Sequence, residues 1–295
     1  MEATSTSYKL IKSVKSSKFN IDELHYYNLS LQIGVRDFQV NIIDTRNGNC
    51  LLLEDYILAK IRSNSGLVGV LSDIVDNHHV LSAGFWKSVK IIIKNTKFSL
   101  VPSSMFVKEA VEDYLRINTE FDEITEEALY YKNIRSSAVS VFAVSKELLA
   151  WARSQYEKAE LGILHQSAAL IEGVMNEKEQ YPKNSMYLYI DRFKLHILSI
   201  KGKDLQYYNQ FTIKQFKDYI KYIMLVIKGL NFSQTSTNVV LWGYIGKKSS
   251  HYDEFYKYIK NISFGNRPDF LNFDYMFDEI QDHHFFDLYS SYLCE

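Results

Sequence analysis

The chain has 295 residues, 46% hydrophobic and 23% charged, with Lys+Arg 34 against Asp+Glu 35 and a formal net charge of -1. That length suggests about two domains of ordinary size, each able to bury a core without staples. The composition excludes wholesale disorder, and a charge near zero supplies no global field for recruiting nucleic acid or an anionic membrane.

The N-terminal stretch, residues 1–20, is rich in Ser and Lys and reads as a flexible arm or as an early strand beginning near Tyr8. It has no apolar run of signal-peptide length, and no stretch of the chain approaches the roughly 20 apolar residues of a membrane span. The two cysteines, Cys50 and Cys294, lie too far apart in sequence for a disulfide framework. A reducing, cytoplasmic setting is the expectation.

Leu29, Leu31 and Ile33 alternate with polar residues as in a half-buried strand. A turn at Gly34–Asp37 leads to a second strand with Phe38, Val40 and Ile42. Asn47-Gly48 is a hairpin dipeptide, and Leu51–Leu53 gives the third strand of a meander. Leu67, Val70, Leu71, Ile74 and Val75 fall on one face of a helix. Lys90–Lys94 and Phe98–Val101 read as strands, and Ser103 or Ser104 is placed to cap a helix carrying Ala110, Val111, Tyr114 and Leu115. Ser137–Val144 is a strand, Ser145 caps the next helix, Leu161–Leu164 is a short strand, and a helix through Ala168–Met175 closes the half.

The polar stretch Glu177–Asn184 contains a proline and reads as a boundary. The pattern then restarts. Met186–Ile190, Phe193–Ile197 and Leu205–Phe211 form a second meander, followed by a helix at 213–229, a strand at Asn238–Trp242 and a helix capped by Ser250. The division expected is an arm at 1–20, a first domain at 21–180 with an insertion at about 85–145, and a second domain at 181–295.

Two meanders followed by the same element order resemble the actin-like ATPase family, built from two ribonuclease H-like domains. The VPSS stretch at Val101–Ser104 and the aromatic, Cys-Glu tail resemble most a group of bacterial proteins of unknown function with that fold. The type IV pilus scaffold PilM is a more distant likeness. The resemblance implies an α/β chain with a nucleotide cleft between its halves. It also implies where the cleft's motifs should fall. The Asp-x-Gly of the first hairpin corresponds to Gln32-Ile33-Gly34, which keeps an oxygen and loses the charge that Mg²⁺ prefers. Asp37 either substitutes for it or is an ordinary turn residue. The glycine-rich second hairpin corresponds to Asp191-Arg192-Phe193-Lys194, with no glycine; Asp191 matches the family's acidic position in one register only. The Gly-Gly of the adenosine side corresponds to Gly243-Tyr244, with Gly246 beyond; these either stack on a ring together with Trp242 or supply turn dihedrals.

The candidate cleft therefore comprises Gln32, Gly34, Asp37, Asp191, Arg192, Gly243, Tyr244 and Gly246, altered at its phosphate-binding positions. Electrostatic stabilisation is the main catalytic contribution in phosphoryl transfer, so these losses argue against turnover. The reading is a non-catalytic binding or scaffold protein with an unidentified protein partner. The alternative is an ATP-binding switch. No catalytic residue, cofactor or metal is assigned: His78-His79 and His283-His284 lack zinc spacing, and no Walker or GxSxG motif is present. Aromatic residues near Phe255–Tyr258 and Phe270–Phe277 serve either the core or a partner surface.

Overall fold

The structure, a computed structural model, describes residues 7–59, 61–182, 185–246 and 249–295, without the side chains of Ser250 and His251. The ends of three expectations, the arm, the boundary stretch and the loop after Gly246, lie outside the described residues at 1–6, 183–184 and 247–248.

In the first half, β1 (Tyr8–Lys15), β2 (Tyr27–Ile33), β3 (Asp37–Asp44) and β4 (Asn49–Leu58) precede helix α1 (Asn64–Asn77) and β5 (Ser88–Ile93). Then come β6 (Phe98–Pro102), α2 (Val111–Asn118), β7 (Glu126–Lys132) and β8 (Ala138–Ser145). The half closes with α3 (Lys146–Gln155), β9 (Glu160–His165) and α4 (Gln166–Glu177). The second half contains β10 (Met186–Asp191), β11 (Lys194–Lys201), β12 (Asp204–Thr212), α5 (Phe216–Gly229), β13 (Val239–Gly243), α6 (Ser250–Tyr258) and β14 (Ile262–Phe264). A five-residue helix, α7 (Phe286–Ser290), lies near the C-terminus.

Sheet order carries the duplication. The first sheet runs β1-β4-β3-β2-β5-β9 and the second runs β12-β11-β10-β13-β14. Apart from the added β1, each sheet is an antiparallel meander followed by two parallel strands. The parallel strand β5 is buried on both faces along Ile91–Ile93, as an apolar run in a covered sheet requires, whereas β9 is the half-buried edge strand beside it. A separate sheet, β6-β8-β7, packs with α2 around Val101, Leu115, Val139 and Val141.

Three local expectations are corrected. Ser103 and Ser104 sit in a 3-10 turn and do not cap an α-helix; α2 begins at Val111 behind Ala110, which makes no side-chain cap. Ser249, not Ser250, caps α6, accepting from the Tyr252 amide. β2 and β3, whose alternation reads as half-buried, are buried along their whole length. Their polar rows have partners in the C-terminal segment: Ser291 Oγ donates to Ser30 Oγ at 3.1 Å, and Gln32 donates to Asp287 at 2.7 Å. Leu271, Phe277, Ile280, Phe285 and Leu288 of the same segment pack on Ile43 and Leu53 of the first sheet.

Candidate functional site between the two hairpins

Each meander begins with a hairpin whose tip faces its counterpart. Ile33 pairs with Phe38 and Asp191 pairs with Lys194. The amide of Lys94 donates to the carbonyl of Ile33 at 2.9 Å, as that of Tyr244 does to Ile190 at 2.7 Å. The duplication therefore superposes Gly34-Val35-Arg36-Asp37 on Asp191-Arg192-Phe193-Lys194, Gln32 on Tyr189, and Lys94 on Tyr244.

All eight hairpin residues line one cavity of about 180 Å³, together with Lys94 and Thr212. At Gly34 a Cβ would fall on the Asp37 carboxylate, so a side chain there would displace Asp37 from its ion pairs. At the rim, the Arg36 guanidinium lies over the Phe193 ring, 4.1 Å from its centroid.

The cavity floor is an ion-pair lattice between the halves. Lys94 Nζ is 2.5 Å from Asp37 Oδ2 and 3.0 Å from Asp191 Oδ2. Arg192 Nη1 is 3.0 Å from the same Asp37 oxygen, and its Nη2 pairs with Asp55. Lys94, Asp37, Asp55 and Asp191 are all buried. Burial by itself would push the Asp191 carboxyl up, but Lys94, Lys194 and His196 outweigh it and hold it well below the usual carboxylate range. Burial likewise works against the Lys94 ammonium, and Asp191 and Asp37 more than restore it. Lys194 is different: burial pushes it down to about 8, with Asp191 only partly opposing.

Beneath the lattice lies a second polar layer centred on Asp287. Its Oδ2 accepts from Gln32 Nε2 and Gln166 Nε2, each at 2.7 Å, and its Oδ1 accepts from the Tyr189 hydroxyl. The equivalent positions Gln32 and Tyr189 thus meet on one carboxylate. Burial pushes that carboxyl up, against the pull of Lys94. Gln39 connects the layers, accepting from Gln32 and donating to Asp55 at 3.2 Å and to the Tyr244 hydroxyl.

Of the residues expected from the sequence, Gly34, Asp37, Asp191 and Arg192 line the cavity, whereas Gln32, Gly243, Tyr244 and Gly246 do not. Tyr244 fills space below it, 4.6 Å from the Arg192 guanidinium. Gly243, at φ +100, cannot carry a Cβ because the Ile190 carbonyl occupies that volume. The Gly246 carbonyl accepts from Ser249 Oγ at 2.8 Å, capping the turn into α6. Trp242 is buried, stacked on Phe286 at 4.2 Å, and donates to the Asn266 carbonyl at 3.0 Å.

Sequence reasoning missed Lys94, Asp55, Gln39, Gln166 and Asp287. Lys94 carried a usable signal: it follows three isoleucines at the carboxyl end of a parallel strand, where α/β sheets place their ligand-facing groups. Asp287 carried none, since only the return of the tail across both halves brings it to the centre. Among the described residues no cluster of His, Cys, Asp and Glu fits a metal ion, and no helix is long and apolar enough to cross a membrane.

The family described as "Protein of unknown function (DUF3822)" matches residues 16–262. Among solved structures, a Bacteroides thetaiotaomicron protein with actin-like ATPase fold and unknown function aligns at TM-score 0.80 and 22% identity, over 95% of this chain and 100% of that one. A chain of the PilM–PilN type IV pilus biogenesis complex aligns at TM-score 0.58 and 12% identity, over 91% and 98%. No curated protein matches the sequence. The fold is therefore the actin-like ATPase fold.

Proposed function

We propose that this chain, which belongs to the DUF3822 family, is a non-catalytic binding or scaffold protein whose own ion pairs stand where a nucleotide's phosphates and metal would. The observation that carries this reading is Lys94 held between Asp37 and Asp191. A Mg²⁺–polyphosphate needs free hard oxygens and close backbone approach. Here both carboxylates already hold Lys94, and Asp37 also holds Arg192. Releasing them would strand a buried ammonium, at a cost of about 3–5 kcal/mol for a broken buried pair. A scaffold role has a precedent in the same fold, since a similar chain occurs in the PilM–PilN complex.

The alternative, a nucleotide-binding switch, draws on the cavity that remains between the hairpins. A thermal shift separates the two. A ligand that binds only the folded state at 100 times its Kd adds about 2.7 kcal/mol of stability. The expected result is no shift and no phosphate release with ATP, ADP or GTP at millimolar concentration with Mg²⁺. Turnover that Asp191→Ala abolishes would overturn the non-catalytic reading.

The small sheet β6-β8-β7 and its surroundings leave Met105, Ile117, Ile124 and Ile134 more than half exposed, at 67%, 76%, 81% and 53%. Those residues belong to the insertion expected at about 85–145, which is a second contact region in this reading. Pull-down with and without the insertion tests it; equal recovery removes it.

A further inference from the structure

The lattice leaves two of the cavity's cations over. Lys94 and Arg192 have carboxylate partners, but among the described residues Arg36 and Lys194 have none within ion-pair distance. Lys194 Nζ reaches only the Asn95 carbonyl, at 3.3 Å, and Arg36 only the Phe193 ring. A largely buried ammonium facing an open cavity without a carboxylate is a cost to the fold that an incoming anion removes.

The surroundings specify what carries that anion. Val35 and Phe193, 61% and 45% exposed, give the rim apolar contact area. Thr212 lines the cavity and ends β12, the outermost strand of the second sheet. The pairing of the Ile213 amide with the Phe193 carbonyl places Thr212, Gln210 and Tyr208 at positions whose backbone groups point away from β11. Beside that edge, a second groove is lined by Phe98, Leu100, Tyr208 and Gln210, and the Asn95 carbonyl accepts from both Lys194 and Gln210; the Gln210 amide is taken by Asn209 Oδ1 at 2.8 Å, which leaves the backbone of Thr212 and Tyr208 for an added strand. An extended peptide can add to such an edge, with backbone hydrogen bonds giving affinity and a side-chain pocket giving specificity.

Resting on the binding reading above, we propose that the cavity between the hairpins receives an acidic side chain of a partner protein's extended segment, laid along the edge of β12, with its carboxylate meeting Lys194 and Arg36. A free phosphate offers the charge without the backbone and apolar contacts.

The test uses two immobilised pools of random nonapeptides, one with glutamate fixed at the central position and one with glutamine, and measures retention of the full-length protein. A charge-assisted contact predicts roughly ten-fold preference for the glutamate pool. Arg36→Gln and Lys194→Gln should each erase that preference. Arg36 is exposed, so Arg36→Gln decides the matter even if the Lys194 variant folds poorly. Equal retention of the pools, a preference that survives Arg36→Gln, or displacement by inorganic phosphate at matched ionic strength overturns the proposal. The same protein is scanned with ATP and Mg²⁺: a thermal shift there favours the nucleotide-binding alternative over the reading on which this proposal rests, whereas indifferent pools without such a shift sink only the acidic-segment assignment.

Discussion

Asp191 and Lys194 end the two sides of one hairpin, yet the fold treats their charges oppositely. Asp191 is held ionised by Lys94 at 3.0 Å, its pKa below that of an unfolded aspartate. Its contribution is therefore complete above about pH 4, the unfolded value, and fades as pH falls through the folded one. Asp191→Asn should cost about 3–5 kcal/mol at pH 7, because it leaves Lys94 short of a partner. In urea titrations, the gap to wild type should narrow at pH 3; a gap that stays constant would show that the pair is not the source. Lys194 carries the reverse sign. Its folded pKa of about 8 lies below the unfolded value of about 10.4. Between the two the unfolded chain retains a proton that the folded chain has shed, so stability rises with pH across that window. Lys194→Met should remove this rise and stabilise the protein at pH 7 by on the order of 2 kcal/mol. A variant less stable than wild type at pH 7 would contradict the assignment of Lys194 as an unpaired cation. A residue that costs stability while facing a cavity fits the binding role proposed for Lys194, since stability–activity trade-offs concentrate such costs at sites of function.

At the scale of elements, α7 is only five residues long and could not persist alone. Its place is fixed by Asp287 and by close packing on α4, where Gly173 admits Ser290 and no Cβ would fit. Asp287→Ala would leave the Gln32 and Gln166 amides and the Tyr189 hydroxyl without their acceptor in a dry interior. Lost charged hydrogen bonds and stranded donors imply a cost of about 3–5 kcal/mol, against about 1–2 kcal/mol for Asp287→Asn, which keeps one acceptor oxygen. Guanidinium denaturation of the two variants checks the order; equal losses would mean that volume, not acceptor capacity, matters. This element also marks how far the sequence could be read. Period-two alternation located both meanders, because each strand's apolar face is contiguous in sequence. The same alternation made β2 and β3 look solvated on one side, because Ser30, Gln32, Gln39 and Asn41 are polar. Their cover comes from residues some 250 positions later: Gln32 and Asp287 are separated by 255. No local pattern encodes such a pairing. The hairpin tips were legible for a different reason. Turn chemistry marked Gly34–Asp37 and Asp191–Arg192 and the family resemblance placed them at a cleft, while Lys94 and Asp55 carry neither signal.

At the scale of the whole molecule, a protein of two halves can close a cleft around a ligand by hinge motion. Here the contacts that join the halves include Lys94 and Arg192 across the hairpins, Asp287 between Gln32 and Tyr189, and the tail that returns to the first sheet. The first of these is the outermost and the easiest to release without unfolding either core, since Arg192 is the lattice member nearest solvent. Arg192→Met should leave the core strands β2, β5, β10 and β13 protected and raise amide exchange at Gly34–Asp37 and Asp191–Lys194. Local opening needs only the interactions that hold those tips, not the global stability. The Gly34 amide, bonded to the Asp37 carbonyl at 2.9 Å, is a specific reporter. The expected pattern is faster exchange at both tips together, because one arginine pins Asp37 and Asp55 from the opposite half. Faster exchange at Asp191–Lys194 alone would mean that the first hairpin is held by Lys94 and Gly34 without help from the second half. In that case the two halves would be able to part while the first tip stays intact, and the idea of a shared latch would give way to two independent turns.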